Sequence, residues 1–489
     1  MAAAVRPSVR FLDDPLAEKI VDEAMDVLAS AGVFIENAEA LGLLAEGGAD
    51  CTPAGGRVLI PRRLVEDSLS SAPSTITIYN APGTLSHVIG GENVHFDPGS
   101  AGLRYHDHTS HSSRPAVTGD LVRFHRLTER LDNFRLQSTG LISGDVPEAI
   151  SDAYRMFIAF QYCSKPIVTG TFLVEGFRPM AAMLGAIRGG SEELRRRPLA
   201  IFDACPSPPL KWTNLTTQSV IDCARAGIPS EFVSMPLTGA TAPVTIAGAL
   251  VQHVAENLAG LVISQLARPG APAIFGGSPA SFDMRTGNPP MGAIETMMID
   301  CAYSQIGKLL GLPTHAYMGL SDAKSPDAQA GLESGIGTVL AALAGVNVVS
   351  GGGMLDFETT QSLEKLVIDN EICGMALRMI DGIEQREDPL ALHLLKDAGS
   401  GIDFLTHPHT LQWLRLEHRF PRVMDRGDYG RWEASGKPSL ADRASDEVKR
   451  LLSAPAEPLI DPALRGELTD IMLGHGRAFG LTRLPPVTL

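Results

Sequence analysis

Eight short apolar segments recur between residues 94 and 350, occupying 94–96, 136–142, 167–172, 199–204, 231–237, 273–277, 314–318 and 346–350. Most are followed by Gly, Ser, Thr, Asp or Pro, then by a stretch of helical pattern. Residues 149–163 precede the third segment in this way, and 246–266 the sixth. Strand and helix alternating eight times is the count of a (β/α)8 TIM barrel, in the α/β class. The competitor is a doubly wound open sheet, which usually announces itself with a glycine-rich nucleotide loop. Neither GxGxxG nor GxxxxGK[ST] occurs here, so the barrel is preferred.

The pattern before and after the barrel differs. Residues 1–90 read as a small α+β extension: Ile20, Ala24, Val27 and Leu28 share a helical face, and Ile76 and Ile78 alternate with threonines as in a half-buried strand. The barrel is expected over 91–382. Residues 383–489 read as a helical appendage suited to contact between copies, so a homo-oligomer is expected. His407 and His409, two apart, do not share a helical face, which favours a capping or packing role over a metal pair.

At 489 residues the chain can bury a large core. A net charge of −15 argues against a nucleic-acid partner; it suits a cationic substrate but is ordinary for an acidic enzyme. Six cysteines show no ligand spacing, so the expectation is reduced thiols and no metal bound by the chain itself. Residues 1–14 lack a signal-peptide core, and every apolar run is interrupted by Gly, Pro or charge. A cytoplasmic protein without a membrane partner is therefore expected.

Residues 313–381 are the most informative stretch. A strand ending near Met318 leads into a polar loop carrying Lys324. Ser325 can cap the next helix, with Pro326 in its first turn and Asp327 at the positive dipole end. After the strand near 346–349 come Gly351, Gly352 and Gly353, and Thr359 or Thr360 starts another helix. In that helix Ile368, Ile372, Met375 and Met379 recur on one face. Both loops lie at strand C-terminal ends, where barrels place their chemistry.

The strand-end loops hold Asp97, Tyr105, His106, Asp107 and His108; then Phe172, Phe202, Asp203 and Lys211; then Phe275, Phe282, Asp283 and Arg285. The last two contribute His315, Tyr317, Ser321, Asp322 and Lys324, and Ser350, the three glycines, Asp356, Phe357 and Glu358. Aromatic rings gathered there could cage a quaternary ammonium, although core packing explains each ring singly. Lys324 could form a Schiff base or pair with Asp322. The glycines could cradle a phosphate or admit a bulky partner.

Several stretches together carry a family resemblance: AGVFIENAEALGLLAEGGAD, RVLIPRRLVEDSLSSAPSTITIYN, RPAVTGDLVRFHRLTERLDN, FDMRTGNPPMGAIE, SDAKSPDAQAG, EKLVIDNEI and THPHTLQWLRLE. The chain resembles the trimethylamine methyltransferase family over nearly its whole length. That resemblance implies a (β/α)8 barrel that moves a methyl group from a methylated amine to the cobalt of a corrinoid (cobalamin-type) cofactor on a partner carrier protein. Trimethylamine-specific members contain pyrrolysine inside the barrel; this sequence has none, and the loop 317–324 is taken as its replacement. A quaternary, glycine betaine-like substrate is then implied.

On that footing the substrate-binding candidates are Phe96, Tyr105, His106, Phe172, Phe275, His315, Tyr317, Asp322, Ser350 and Phe357. His106, His315 and Arg285 are candidates to meet a carboxylate, and Gly351, Gly352 and Gly353 to admit the corrinoid. Two other readings stay open: a metal- or Lys-dependent barrel lyase or aldolase, and a betaine-binding protein without catalysis.

Overall fold

The computed structural model describes residues 4–52, 56–396 and 403–486. Eight strands form its centre: β1 (His95–Pro98), β2 (Gln137–Ser138), β3 (Ile167–Gly170), β4 (Ala200–Ala204), β5 (Ser230–Ser234), β6 (Ala273–Gly277), β7 (His315–Tyr317) and β8 (Val348–Gly352). Neighbouring strands pair in parallel from β2 to β6 and through β7, β8 and β1. Parallel bridges Phe96–Phe134 and Phe275–Thr314 join the two sets. The sheet therefore closes into a (β/α)8 barrel.

Each strand is followed by a helix: α1 (Thr118–Glu129), α2 (Ser151–Tyr162), α3 (Phe177–Arg188), α4 (Asn214–Ala226), α5 (Ile246–Ala267), α6 (Ile294–Leu309), α7 (Ala328–Ala344) and α8 (Leu363–Ile380). Two starts differ from expectation. Asp327, not Ser325, caps α7, its carboxylate accepting from the N–H groups of Gln329 and Ala330. Ser362 caps α8, because Thr360 and Gln361 are drawn into a strand beside Arg104 and Tyr105. Along α8, Ile368 and Ile372 are buried while Met375 and Met379 are exposed.

Period-two alternation sorts the strand residues. Phe96, Phe202, Phe232 and Phe275 belong to the core between strands and helices. Leu136, Val168, Ile201, Ile274 and Val348 instead cluster with Ile76, Ile78 and Ile89. Those three isoleucines come from a hairpin, Thr75–Tyr79 paired with Ser86–Gly90, which plugs the bottom of the barrel. Burying each gains about 2 kcal/mol.

α5 is long and apolar enough, by length and composition, to cross a membrane. The expectation that every apolar run is too short does not hold here. The cause is burial on two sides: α5 faces the barrel inwardly, and helices Asp14–Asp26, Ala38–Glu46 and Arg62–Ser71 of the extension cover its outside. The extension is further tied in by Val33–Ile35, which pairs in parallel with Lys211–Trp212 beyond β4. In the C-terminal region, Leu440–Leu451 packs on α8, and Pro462–Ala478 on α2 and α3. His407 caps Pro408–Glu417, its Nδ1 accepting from the His409 N–H.

Candidate functional site

Above the apolar floor, the next inward residues are polar: Asp97 on β1, Asp203 on β4, Glu231 on β5, His315 on β7 and Ser350 on β8. All but Asp203 are at most 1% exposed, and the Asp203 carboxyl is itself enclosed. Ser350 Oγ donates to Asp97 Oδ1 at 2.8 Å and lies 3.0 Å from His315 Nε2. His315 Nδ1 lies 3.0 Å from Glu231 Oε1, and Glu231 in turn meets Asp203. An added Cβ on Gly276 would come within 2.9 Å of His315 Nδ1, so glycine there makes room for the imidazole.

One arrangement of protons fits these contacts. Ser350 spends its proton on Asp97, so His315 must donate to it through Nε2. Burial pushes His315 down to about 3; the ring is neutral and its Nδ1 is bare. A bare nitrogen and a carboxylate are both acceptors, and the 3.0 Å approach is a hydrogen bond only if Glu231 carries a proton. Burial, then the charges of Asp203 and Asp97, raises Glu231 well above the usual carboxyl range, as this requires. Burial also lifts Asp97 and pushes Asp203 up to about 7.

Tyr317, the next inward residue of β7, packs edge-on against His315 with ring centroids 4.9 Å apart. An apolar collar of Val233, Met291, Tyr317, Leu320 and Met354 surrounds this level. Glu358 reaches into the same space from above: burial, then Asp203 and Asp322, pushes it up to about 8, and its Oε1 has no partner among the described residues. It is carried on a turn in which Asp356, Phe357 and Glu358 all have left-handed φ, at 52°, 55° and 65°. Non-glycine residues resist that conformation by about 1 kcal/mol each.

Neighbouring groups hold the turn. The Asp356 N–H donates to Ala323 O at 3.0 Å, Lys324 Nζ lies 3.1 Å from Asp356 Oδ1, and the same ammonium stands 4.0 Å from the Phe357 ring centroid. Outside the turn a cleft of ≈ 930 Å³ opens at the barrel mouth, lined by Asp283, Asn288, Pro290, Asp322, Lys324 and Phe357 among others.

The interior is rich in carboxyl groups. Four buried carboxyl groups face or border it with one guanidinium, Arg155, nearby. Carboxyls raised by burial and by one another are stabilised as anions when a positive charge arrives.

A family model described as trimethylamine methyltransferase (MTTB) matches residues 3–478. The chain belongs to the trimethylamine methyltransferase family. It is 32% identical over 442 residues to the trimethylamine methyltransferase MttB of Desulfitobacterium hafniense (strain DSM 10664 / DCB-2), covering 90% of this chain and 89% of the relative. It is 29% identical over 476 residues to the glycine betaine methyltransferase of Desulfitobacterium hafniense (strain Y51), covering 97% and 98%. Among solved structures it resembles the Methanosarcina barkeri monomethylamine methyltransferase (MtmB), with a TM-score of 0.56 at 12% identity over 90% and 89% of the two chains. That likeness bears on the fold, which is the barrel the strands alone establish.

Within this member of the family, the site residues expected from sequence divide. His315, Tyr317 and Ser350 meet inside the barrel. Asp322 stands at the mouth, where its carboxylate accepts from the N–H groups of Met291 and Gly292 at 3.0 and 2.8 Å; burial pushes it up to about 6. Phe357 is also at the mouth, with a ring face taken by Lys324. Phe172 is there too, under the Arg155 guanidinium.

Three others do not reach the interior. Phe96 packs in the strand–helix layer, and Phe275 packs there against His253 and Tyr303. Tyr105 is in the hairpin Arg104–Asp107 and Ser112–Pro115, with Arg114 and Arg123 over its ring. A cage role fails for these rings, because their strand positions point away from the axis or their faces are occupied. His106 is buried in the same hairpin, beside His108, His111 and Asp107. Arg285 is exposed and paired with Asp283.

The glycine loop is enclosed rather than open. A Cβ on Gly352 would lie 2.5 Å from the Phe134 ring, and one on Gly353 2.3 Å from Gln361 Oε1. The Gly353 N–H donates to Asp369 Oδ2 at 2.7 Å, and Lys365 Nζ holds the same oxygen at 2.6 Å. The loop's own packing therefore requires these glycines.

Sequence reasoning passes over Glu231 and Arg155, and gives Asp97, Asp203 and Glu358 no role. For the strand acids the missing signal is alternation. Asp203 is two residues beyond the inward Ile201 and therefore shares its face.

Proposed function

We propose that this chain moves a methyl group from a quaternary or tertiary methylated amine, betaine-like in type, to the cobalt of a corrinoid held by a separate carrier protein. The observation that supports this most is the buried carboxyl cluster of Asp203, Glu231 and Glu358 beside Tyr317, inside the barrel of a trimethylamine methyltransferase family member.

The corrinoid supplies the cobalt nucleophile that accepts the methyl group. The cleft outside the 356–358 turn suits such a group, being open, polar and placed over the strand C-terminal ends. Lys324, Asn288 and Phe357 are the residues at its rim that would meet it.

The chain's own residues have three tasks. Asp203 and Glu358, once ionised, draw the cation out of water; at about 5 Å and an effective dielectric of about 20, one carboxylate contributes about 3 kcal/mol. The Tyr317 ring adds about 0.5–2 kcal/mol where it contacts the cation. The apolar collar keeps water from the methyl groups and fixes which of them faces the mouth. A quaternary nitrogen departs as a neutral amine, so no residue has to deliver a proton. The aldolase reading requires a reactive lysine, whereas Lys324 is engaged with Asp356 and Phe357.

Incubation with cob(I)alamin and a panel of methylated amines, following methylcobalamin by absorbance, tests the reading. Methylation that depends on at least one quaternary amine is the expected result. No methylation across the panel, with the free cofactor and with carrier proteins, overturns it.

A further inference from the structure

Among the described residues, the Arg155 guanidinium is buried without a hydrogen-bond partner. Arg155 lies on α2 and is among the largest side chains that the fold encloses completely. Its Nε and Nη1 are shut off from solvent and find no acceptor among the described residues. The group sits 4.5 Å from the centroid of the half-exposed Phe172 ring, at the end of β3. Asp152, Asp203 and Tyr317 are the charges and polar groups that act on it, which places it beside the substrate cavity.

Asp152 leaves it unsatisfied. One Asp152 oxygen accepts from the Phe172 N–H at 3.0 Å and the other from the Ala153 N–H at 2.7 Å. A Cβ on Gly176 would strike that carboxylate at 2.0 Å, so glycine leaves it room to anchor Phe172. Phe172 in turn supports the guanidinium. Burial lowers Arg155 only to about 10, so it stays ionised at neutral pH.

An ionised group removed from water and left unpaired is costly. The guanidinium is also the planar donor fork that matches a carboxylate. We propose that Arg155, supported by Phe172, is the anion half of a two-part substrate site, binding the carboxylate of a zwitterion whose methylated ammonium lies among Asp203, Glu231 and Glu358. This rests on the methylated-amine reading above. It narrows the substrate class to carboxylate-bearing betaines and sets simple methylamines and choline-type cations aside. A substrate held at both ends has its orientation fixed before the methyl acceptor arrives.

Calorimetric titration with glycine betaine and with tetramethylammonium separates the two halves. In Arg155→Gln, glycine betaine binding weakens by about 10- to 100-fold. Tetramethylammonium binding stays equal or tightens, because a like charge has gone. Arg155→Lys restores part of the glycine betaine affinity, having the charge without the fork. Equal losses for both ligands, or no loss for glycine betaine, overturn the proposal. If Arg155→Gln does not fold, Phe172→Leu carries the same test: a loss confined to glycine betaine supports the anion site, and equal losses overturn it. A parent protein that binds neither ligand defeats the cation reading and this proposal with it. Tetramethylammonium binding without a selective Arg155 effect defeats the anion half alone.

Discussion

His315 Nδ1 and Glu231 Oε1 lie 3.0 Å apart with both side chains fully buried. Because His315 is neutral and donates through Nε2, this contact needs the Glu231 proton. Glu231→Gln supplies an amide N–H in the same place and is expected to hold stability within about 1 kcal/mol of the parent. Glu231→Ala leaves Nδ1 and a cavity exposed to each other and is expected to cost about 2–4 kcal/mol. Urea denaturation of both variants decides; a Gln variant as damaged as the Ala variant shows that Glu231 is ionised.

Binding of a small cation should depend on pH. Asp203 is raised to about 7 and Glu358 to about 8, and each attracts a cation only when ionised. Tetramethylammonium affinity is expected to rise by about tenfold or more between pH 6 and 8.5. The binding heat should vary with the buffer's ionisation enthalpy, reporting released protons. The same groups hold more protons folded than unfolded. The unliganded fold therefore loses stability as pH climbs from the ordinary carboxyl range through about 7 and 8. A melting temperature that rises over that interval contradicts the assignment.

Lys324 gives a third test. Its side chain is 63% exposed, so its ion pair with Asp356 adds little, and Lys324→Met should change stability by less than about 1 kcal/mol. Removing a positive charge from the rim should tighten tetramethylammonium binding severalfold at low salt, an effect that shrinks as salt is added. Unchanged binding at low salt would mean that the rim charge is not sensed inside.

Gly352 gives a fourth. Any side chain there meets the Phe134 ring. Gly352→Leu is expected to destabilise the fold by about 1–3 kcal/mol, with substrate binding and methyl transfer falling together. Thermal unfolding in parallel with both assays shows whether the loss is global. A stable variant defective only in transfer would return the glycine loop to the acceptor surface.

The sequence displayed the barrel because the strands lie in short apolar segments, most of them followed by Gly, Pro or a polar turn. Two strands, β2 and β1, moved most. β2 stops at Ser138 because Gly140 turns the chain at φ 55°, and β1 is shifted towards Asp97. The site was less legible, for a directional reason. Phe96 precedes Asp97 and Phe202 precedes Asp203, and a strand sends such neighbours to opposite sides. Choosing the aromatic partner selected residues of the helix layer, while the adjacent acids face the axis. Arg155 sits on a helix, outside the strand-end loops. Its meaning depends on Phe172 and Asp203, which only the closed barrel brings near it.

Among the described residues, the hairpin that carries Ile76, Ile78 and Ile89 closes the bottom of the barrel and leaves a well that opens at the mouth. On the proposed function, amine and methyl acceptor then use the same door. The amine is expected to enter first, and the acceptor, once seated over the mouth, to bar the demethylated amine from leaving. Turnover is accordingly expected to follow a compulsory order in which the acceptor's departure releases the amine. An acceptor added in excess should slow the enzyme by occupying the empty well's mouth.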